Sequence, residues 1–155
     1  MPRVTLLCGP AGAGKTTYAR QLESGGVVRL SMDEALWQDG WRDVEPPPER
    51  LDELHRELQQ RLCGAVAEGV DVVVDLSLSQ RAVRDEWRAL ARTAGADVEL
   101  VLLTAPIEVL WQRVERRAGQ AHANAVKLTR DQLVAYVDGF DWPREDEGVR
   151  VIRTG

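Results

Sequence analysis

Apolar residues along the chain follow two patterns that alternate from one end to the other. Five short runs are apolar at nearly every position, which is typical of strands buried on both faces of a parallel sheet. These runs are residues 4–8, 27–30, 72–75, 98–103 and 149–152. The sequence therefore predicts five strands that together form one buried sheet.

Between these runs, apolar residues recur every three or four positions, as expected for amphipathic helices. Residues 16–22 predict one helix, a second follows Pro106, and Thr129 with Gln132 predicts a capping box for a short helix through Val137. The two clearest stripes are Leu51, Leu54, Leu58, Leu62 and Val66, and Val83, Trp87, Leu90 and Ala91. The order of elements predicts a single α/β domain over residues 1–155, with a doubly wound parallel five-stranded sheet flanked by helices.

The strongest chemical signal lies directly after the first predicted strand. There the chain matches the phosphate-binding pattern G-x-x-x-x-G-K-[ST], and a helix follows. Glycines let the backbone N–H groups approach an anion at the positive end of that helix. A lysine in this position reaches the β- and γ-phosphates of a nucleotide, and the hydroxyl after it can ligate Mg²⁺. The predicted ATP-binding residues are Gly9, Pro10, Ala11, Gly12, Ala13, Gly14, Lys15, Thr16 and Thr17.

The composition of the chain restricts its expected partners and cellular compartment. The formal net charge is −5, which argues against a large nucleic-acid footprint. No apolar run approaches the length of about 20 residues that a membrane span requires. Cys8 ends a strand and Cys63 lies mid-helix, so two free thiols in a reducing cytoplasm are expected rather than a disulfide or a metal site.

Two aspartates lie where the chemistry of an open parallel sheet is expected, at the carboxyl ends of strands. Asp33 follows the second predicted strand, and Asp75 ends the third. Asp33 is also placed to cap a helix, and Asp75 to occupy a turn, so each has an ordinary structural alternative. The phosphate-binding loop follows the first predicted strand and is expected at the same edge of the sheet. We therefore favour a functional role for both aspartates.

The remaining motifs reduce the choice among nucleoside-triphosphate-binding proteins. GTPases need an N-K-x-D motif, yet the one asparagine, Asn124, precedes an alanine. Transporter ATPases need a second signature and a larger domain, and ring ATPases need a longer chain with a helical lid domain. A small kinase remains, with an acceptor-binding insertion after the second strand and an arginine-bearing lid over approximately residues 113–128.

The chain at this point resembles the small P-loop kinases that include chloramphenicol phosphotransferase, the zeta toxins and the kinase domain of polynucleotide 5′-kinases. The resemblance rests on residues 9–16, 30–33 and 72–77, and on Ala105-Pro106 followed by Arg113 and Arg117. It implies that Asp33 is the general base toward an acceptor hydroxyl. It further implies that Arg113 and Arg117 contact the triphosphate and stabilise the transferring phosphoryl group.

One departure from this family bears on the acceptor. The nucleic-acid kinases carry an arginine three residues after the base, and here that residue is Leu36, with Trp37 and Trp41 close behind. An apolar, aromatic pocket without that arginine favours an uncharged small molecule over a nucleic-acid end. The expected acceptor-binding residues are thus Asp33, Leu36, Trp37, Trp41 and Ser77, with packing as the alternative role of the tryptophans.

The sequence thus predicts an ATP-dependent phosphotransferase that acts on a hydroxyl of a small molecule, with ATP and Mg²⁺ as cofactors. Its catalytic residues are expected to be Lys15, Asp33, Arg113 and Arg117, while Thr16 and Asp75 serve the metal. For Asp75, positioning of the acceptor is the alternative. Two other functions stay open: a polynucleotide or nucleotide 5′-hydroxyl kinase, and an ATP-binding regulator with little turnover. The sequence leaves the oligomeric state open.

Overall fold

Five parallel strands form the centre of the protein in the computed structural model, which describes residues 1–42, 44–118 and 128–155. Their order across the sheet is β2-β3-β1-β4-β5, so the chain crosses over between strands that are not sequence neighbours. The strands are β1 Arg3–Cys8, β2 Val28–Ser31, β3 Val72–Asp75, β4 Asp97–Thr104 and β5 Val149–Arg153.

Helices cover both faces of this sheet, as the alternation of strands and helices predicts. They are α1 Lys15–Ser24, α2 Met32–Gln38, α3 Pro48–Ala67, α4 Arg81–Thr93, α5 Ile107–Ala118 and α6 Arg130–Asp138, with a 3₁₀ helix at Glu145–Glu147. The capping box of α6 is confirmed, since the Thr129 side chain accepts from the Gln132 backbone and the Gln132 side chain accepts from Thr129 N–H. No helix within the described ranges has the length and apolar character that crossing a membrane requires.

The alternation of side chains along each strand divides the core into two clusters. Val4 and Leu6 of β1 pack with α3 and α4 on one face, whereas Leu7 packs with α1 and α5 on the other. Each strand is fully or largely buried by this double covering, except β5 at the edge, where Val151 is 41% exposed. The predicted doubly wound α/β fold is confirmed, and each predicted strand end lies within one residue of the observed one.

Two positions differ from the apolar pattern. Leu51 is 40% exposed although it begins the apolar stripe of α3, whereas the later members of that stripe are buried. Arg84 is fully buried although it falls outside the predicted stripe of α4. The Arg84 guanidinium donates to both carboxylate oxygens of Glu147, at 2.9 and 3.0 Å, which supplies the partner that a buried charge requires.

Candidate active site

The phosphate-binding loop connects β1 to α1 and depends on glycine at two close contacts. A Cβ atom at Gly9 would lie 2.3 Å from the Leu103 carbonyl oxygen, and one at Gly12 would lie 2.7 Å from the Leu110 carbonyl oxygen. Gly12 also adopts a φ of +84°, which side chains rarely tolerate. The loop backbone is therefore pressed against β4 and α5, which fixes the anion-binding cradle in shape.

Lys15, the first residue of α1, folds back across this cradle. Its Nζ atom donates to the carbonyl oxygens of Gly9 at 2.7 Å and of Pro10 at 3.1 Å. Burial lowers the pKa of the Lys15 ammonium, while Asp75 and Asp33 act in the opposite direction. The lysine is thus held by neutral acceptors that the oxygens of a phosphate can replace.

Asp75, the last residue of β3, lies beside the loop and is nearly buried. One of its carboxylate oxygens, Oδ2, accepts from the Thr16 hydroxyl at 3.2 Å and from Arg29 Nη1 at 3.2 Å. The side chains of Asp75 and Arg29 are only 4% and 8% exposed. A hydroxyl and a carboxylate in contact next to a phosphate cradle form the hard-oxygen donor set that Mg²⁺ prefers, so these residues fit that ion.

Asp33 is the second residue of α2, and the residue directly before this helix is its N-cap. The predicted capping alternative is wrong for Asp33, because Ser31 is the N-cap and accepts from the Glu34 backbone N–H at 3.1 Å. The Asp33 carboxylate is therefore available for other contacts. Burial raises its pKa, as does the nearby charge of Asp75, whereas Lys15, Arg117 and Arg29 act to lower it.

A single cavity of about 740 Å³ brings the predicted chemistry together. The predicted residues that line it are Ala11, Gly12, Gly14, Lys15, Thr16, Asp33, Asp75, Ser77 and Arg117. It lies at the carboxyl ends of β1, β2 and β3, the edge at which open parallel sheets bind ligands. Both predicted aspartates therefore share one space with the phosphate cradle.

Three expected acceptor residues do not line this cavity as the structure describes it: Leu36, Trp37 and Trp41. The Trp41 indole N–H donates to Asp39 at 2.7 Å, and the Arg42 guanidinium stacks 4.6 Å from the centre of the Trp37 ring. The structure thus places the tryptophans in contacts within the insertion, in agreement with the packing alternative.

The two arginines expected in the lid lie on α5 in different surroundings. Arg117 lines the main cavity, and burial together with Arg113 lowers its pKa. Arg113 instead donates to the Gly12 carbonyl at 3.0 Å and to the Thr154 hydroxyl at 2.8 Å. It thus ties the loop to the chain after β5. Most of the remaining expected lid, residues 119–127, lies outside the described residues.

A second cavity of about 450 Å³ lies on the other side of the loop. It shares Gly12, Gly14, Thr16 and Arg117 with the main cavity. Its remaining lining residues include Thr17, Tyr18, Gln21, Arg113 and Thr154. The phosphate cradle therefore opens toward two spaces, one on each side.

Sequence reasoning missed several residues of the site. Arg29 carried a usable signal, since a charge inside an otherwise apolar strand run indicates a buried partner. His55 carried another, because it follows Leu51 by four residues and so shares its helix face, and both line the main cavity. Tyr136 of α6 lines the cavity as well, and nothing in its local sequence distinguishes it from a packing residue.

The fold and the site together define the class, a P-loop nucleotide-binding protein of the kinase type. A family model described as an AAA domain matches residues 4–143, and the chain belongs to that family. The resemblance to small P-loop kinases is thereby confirmed at the level of family and fold. No match was found among curated proteins.

Solved structures of several differently named proteins share this fold. A gluconokinase from Sinorhizobium meliloti is 20% identical with a TM-score of 0.66, over 98% of this chain and 82% of that one. Kti12 from Chaetomium thermophilum, in complex with ADP-AlF3, is 16% identical with a TM-score of 0.70, over 97% and 88% of the two chains. At these identities the likeness shows the fold alone.

A further similar structure is the Pnkp1/Rnl/Hen1 RNA repair complex, at 20% identity and a TM-score of 0.74 over 89% of this chain. This chain spans only 38% and 43% of the matched chains in the two structures of that complex. The likeness is therefore to one part of a longer protein.

Proposed function

We propose that this protein is an ATP-dependent phosphotransferase that moves the γ-phosphate of ATP to a hydroxyl of a small molecule. One observation carries the proposal. The phosphate cradle, Lys15, Arg117 and the carboxylate of Asp33 line the same cavity. A regulator that only binds ATP needs the cradle but has no need of a carboxylate in the space that the cradle faces.

The two cavities on either side of the loop suggest where each substrate lies. The nucleoside occupies the cavity beside Tyr18 and Thr154, and the triphosphate runs across the cradle toward the cavity that contains Asp33. The γ-phosphate then faces the acceptor. Phosphoryl transfer depends mostly on positioning and electrostatic stabilisation, which a fixed cradle with charged groups in the same cavity provides.

Each charged residue has one part in this scheme. Asp33 orients the acceptor hydroxyl and accepts its proton, and Lys15 with Arg117 stabilises the charge on the transferring group. Arg113 keeps the loop in place through its hydrogen bond to Gly12, while remaining near the triphosphate. Thr16 and Asp75 hold Mg²⁺, which when bound neutralises charge on the β- and γ-phosphates.

The charge around α2 favours a small molecule over a nucleic-acid end. Asp33, Glu34, Asp39 and Glu45 lie on or near this helix. The cations around it are already engaged, since Arg50 pairs with Asp39 and Arg29 pairs with Glu34. Carboxylates still outnumber cations there, which disfavours a phosphate backbone. The RNA repair likeness makes a 5′-hydroxyl kinase the second candidate, and salt-sensitive binding of a 5′-hydroxyl oligonucleotide would favour it. The two free cysteines, Cys8 and Cys63, support a place in the reducing cytoplasm.

Replacing Lys15 with alanine tests the nucleotide site without any knowledge of the acceptor. A hydrogen bond to a charged group contributes about 1.5–3 kcal/mol, so ATP affinity should fall by about 10- to 100-fold in calorimetry. Arg20→Ala, an exposed cation on the same helix, serves as the control and should bind ATP normally. Unchanged ATP affinity in folded Lys15→Ala protein would show that ATP binds elsewhere.

Arg29→Met tests whether Arg29 positions Asp75 for the metal. The change removes the Nη1 donor at 3.2 Å from Asp75, so the carboxylate loses one of the contacts that fix its orientation. We expect the Mg²⁺ concentration that supports half-maximal ATP binding to rise about tenfold, with Arg29→Lys closer to wild type. An equal loss of ATP affinity with and without Mg²⁺ would contradict this role.

A further inference from the structure

The main cavity has an apolar wall built from side chains outside the phosphate-binding loop. Six side chains from α2, α3, the β3–α4 connection, α4 and α6 contribute to it: Met32, Leu51, Leu76, Leu78, Val83 and Tyr136. We call this set the acceptor wall. The ring of Tyr136 packs edge-on against the buried Phe140, with ring centres 5.8 Å apart, and this contact helps to fix its orientation.

The β3–α4 connection in this wall is held in one conformation by bonds that lead away from the cavity. The Ser77 carbonyl accepts from Gly9 N–H at 3.1 Å, and the Ser79 carbonyl accepts from Asp141 N–H at 2.9 Å. Between them, the Leu78 carbonyl accepts from the buried Arg84 at 2.9 Å, and Leu78 itself has a φ of +48°. Three consecutive carbonyls are thus already bonded, so the wall offers the acceptor mainly side chains.

Charge in the described lining of this cavity is confined to two carboxylates and two cations. The carboxylates are Asp33 and Asp75, and the cations are Lys15 and Arg117. Both cations are assigned to the triphosphate in the scheme above. Asp75 is paired with Arg29, so an acceptor with its own carboxylate or phosphate would meet the charge of Asp33 without a cation of its own. Desolvation of that anion would go uncompensated.

We propose that the acceptor is an uncharged alcohol with a largely apolar body, packed against the acceptor wall with its hydroxyl at Asp33. The polar lining residues His55, Ser79, Gln80 and Gln132 provide neutral hydrogen-bonding groups for one or two further polar atoms. This inference rests on the proposed phosphotransferase function and narrows it. On this inference, sugar acids and phosphate-bearing nucleoside ends are poor acceptors, since the described lining offers them no cation beyond the two assigned to the triphosphate.

Two matched pairs of probe alcohols test this class, each pair differing only by an anionic group. They are 4-biphenylmethanol against its 4′-carboxylate, and thymidine against thymidine 3′-monophosphate. Affinity is measured by isothermal titration calorimetry with the full chain, Mg²⁺ and a non-hydrolysable ATP analogue. We expect 4-biphenylmethanol to bind at least about tenfold more tightly than its carboxylate, and thymidine more tightly than its phosphate. Tighter binding of either anion, or no binding of either neutral probe, overturns the inference.

A charge placed in the wall provides the reciprocal test. Val83→Arg puts a cation among the apolar side chains, so the preference within the biphenyl pair should move toward the carboxylate by at least about tenfold. Ala82→Arg, one residue away, exposed and outside the cavity lining, should leave the preference unchanged. Equal responses of the two variants would overturn the inference.

The same samples separate this inference from the proposed function. ATP affinity and transfer of labelled phosphate are measured alongside probe binding. Tight ATP binding with transfer to gluconate or to an oligonucleotide end would leave the phosphotransferase standing and reject the apolar acceptor. Loss of ATP binding altogether would reject the function itself.

Discussion

Asp33→Asn is expected to slow phosphoryl transfer by about 10²–10⁴-fold while ATP affinity stays close to that of wild type. The amide keeps the shape of the carboxylate but cannot accept a proton from the acceptor hydroxyl. The helix start should be unaffected, since Ser31 and not Asp33 caps α2. Acceptor-dependent ADP release measures the rate, and calorimetry measures the ATP affinity.

Asp52→Asn is a suitable control for this variant, being the same chemical change at an exposed position of α3. It should have no effect on rate. Because burial and Asp75 raise the pKa of Asp33, activity should fall with decreasing pH at a value above the ordinary aspartate range. That acid limb should be missing from the residual activity of Asp33→Asn. A mild loss with the acid limb retained would assign the base to another residue.

Glu147→Gln is expected to destabilise the fold by about 3–5 kcal/mol, because it leaves the buried Arg84 without a counter-charge. Both side chains are 0% exposed, and the same carboxylate also accepts from Arg88 at 3.1 Å. Urea unfolding of the two proteins measures the difference in free energy of unfolding. Replacing both partners with methionine should recover much of this loss, since the uncompensated charge is then absent.

Asp146→Asn is the matched control, at the residue immediately before Glu147. Its pair with Arg81 is exposed at the surface, with the Asp146 side chain 61% accessible, so the loss of stability should be much smaller than that of Glu147→Gln. Burial acts to raise the pKa of Glu147, but hydrogen bonds from Arg84 and Arg88 hold it at about 2. The pair's contribution to stability is therefore complete above the unfolded-state pKa near 4.5 and is lost as the pH falls toward 2. Equal costs for both variants would contradict the buried pair.

The sheet could be predicted from the sequence because burial on both faces leaves a strong local signal. Residues 72–75 are apolar up to the terminal aspartate, and the observed strand β3 has the same ends. The apolar stripes predicted the buried faces of the helices less completely, because some buried helix residues are polar. Arg84 falls between apolar positions of α4, and its partner Glu147 lies 63 residues further along the chain. A pair that forms only through tertiary packing has no local sequence signature.

Part of the candidate site could likewise be predicted from local sequence motifs, whereas the rest is brought together only by tertiary packing. The cradle and its lysine form a contiguous motif, and Asp33 and Asp75 follow strands whose parallel order brings their ends together. The apolar wall of the cavity is assembled from four helices and a connection, so proximity in sequence to Asp33 was a poor guide to its lining. Trp37 and Trp41 are near Asp33 in sequence, yet the cavity is lined by His55 and Tyr136.

The central claim is that this cavity transfers phosphate to an alcohol rather than to water. The most direct measurement incubates the full chain with Mg²⁺, γ-labelled ATP and a panel of neutral alcohols, and separates labelled organic phosphate from labelled inorganic phosphate. We predict label in an acid-stable phosphate ester, dependent on both the alcohol and Asp33. Label recovered only as inorganic phosphate, at a rate that no alcohol changes, would contradict the account and indicate an ATP-hydrolysing regulator.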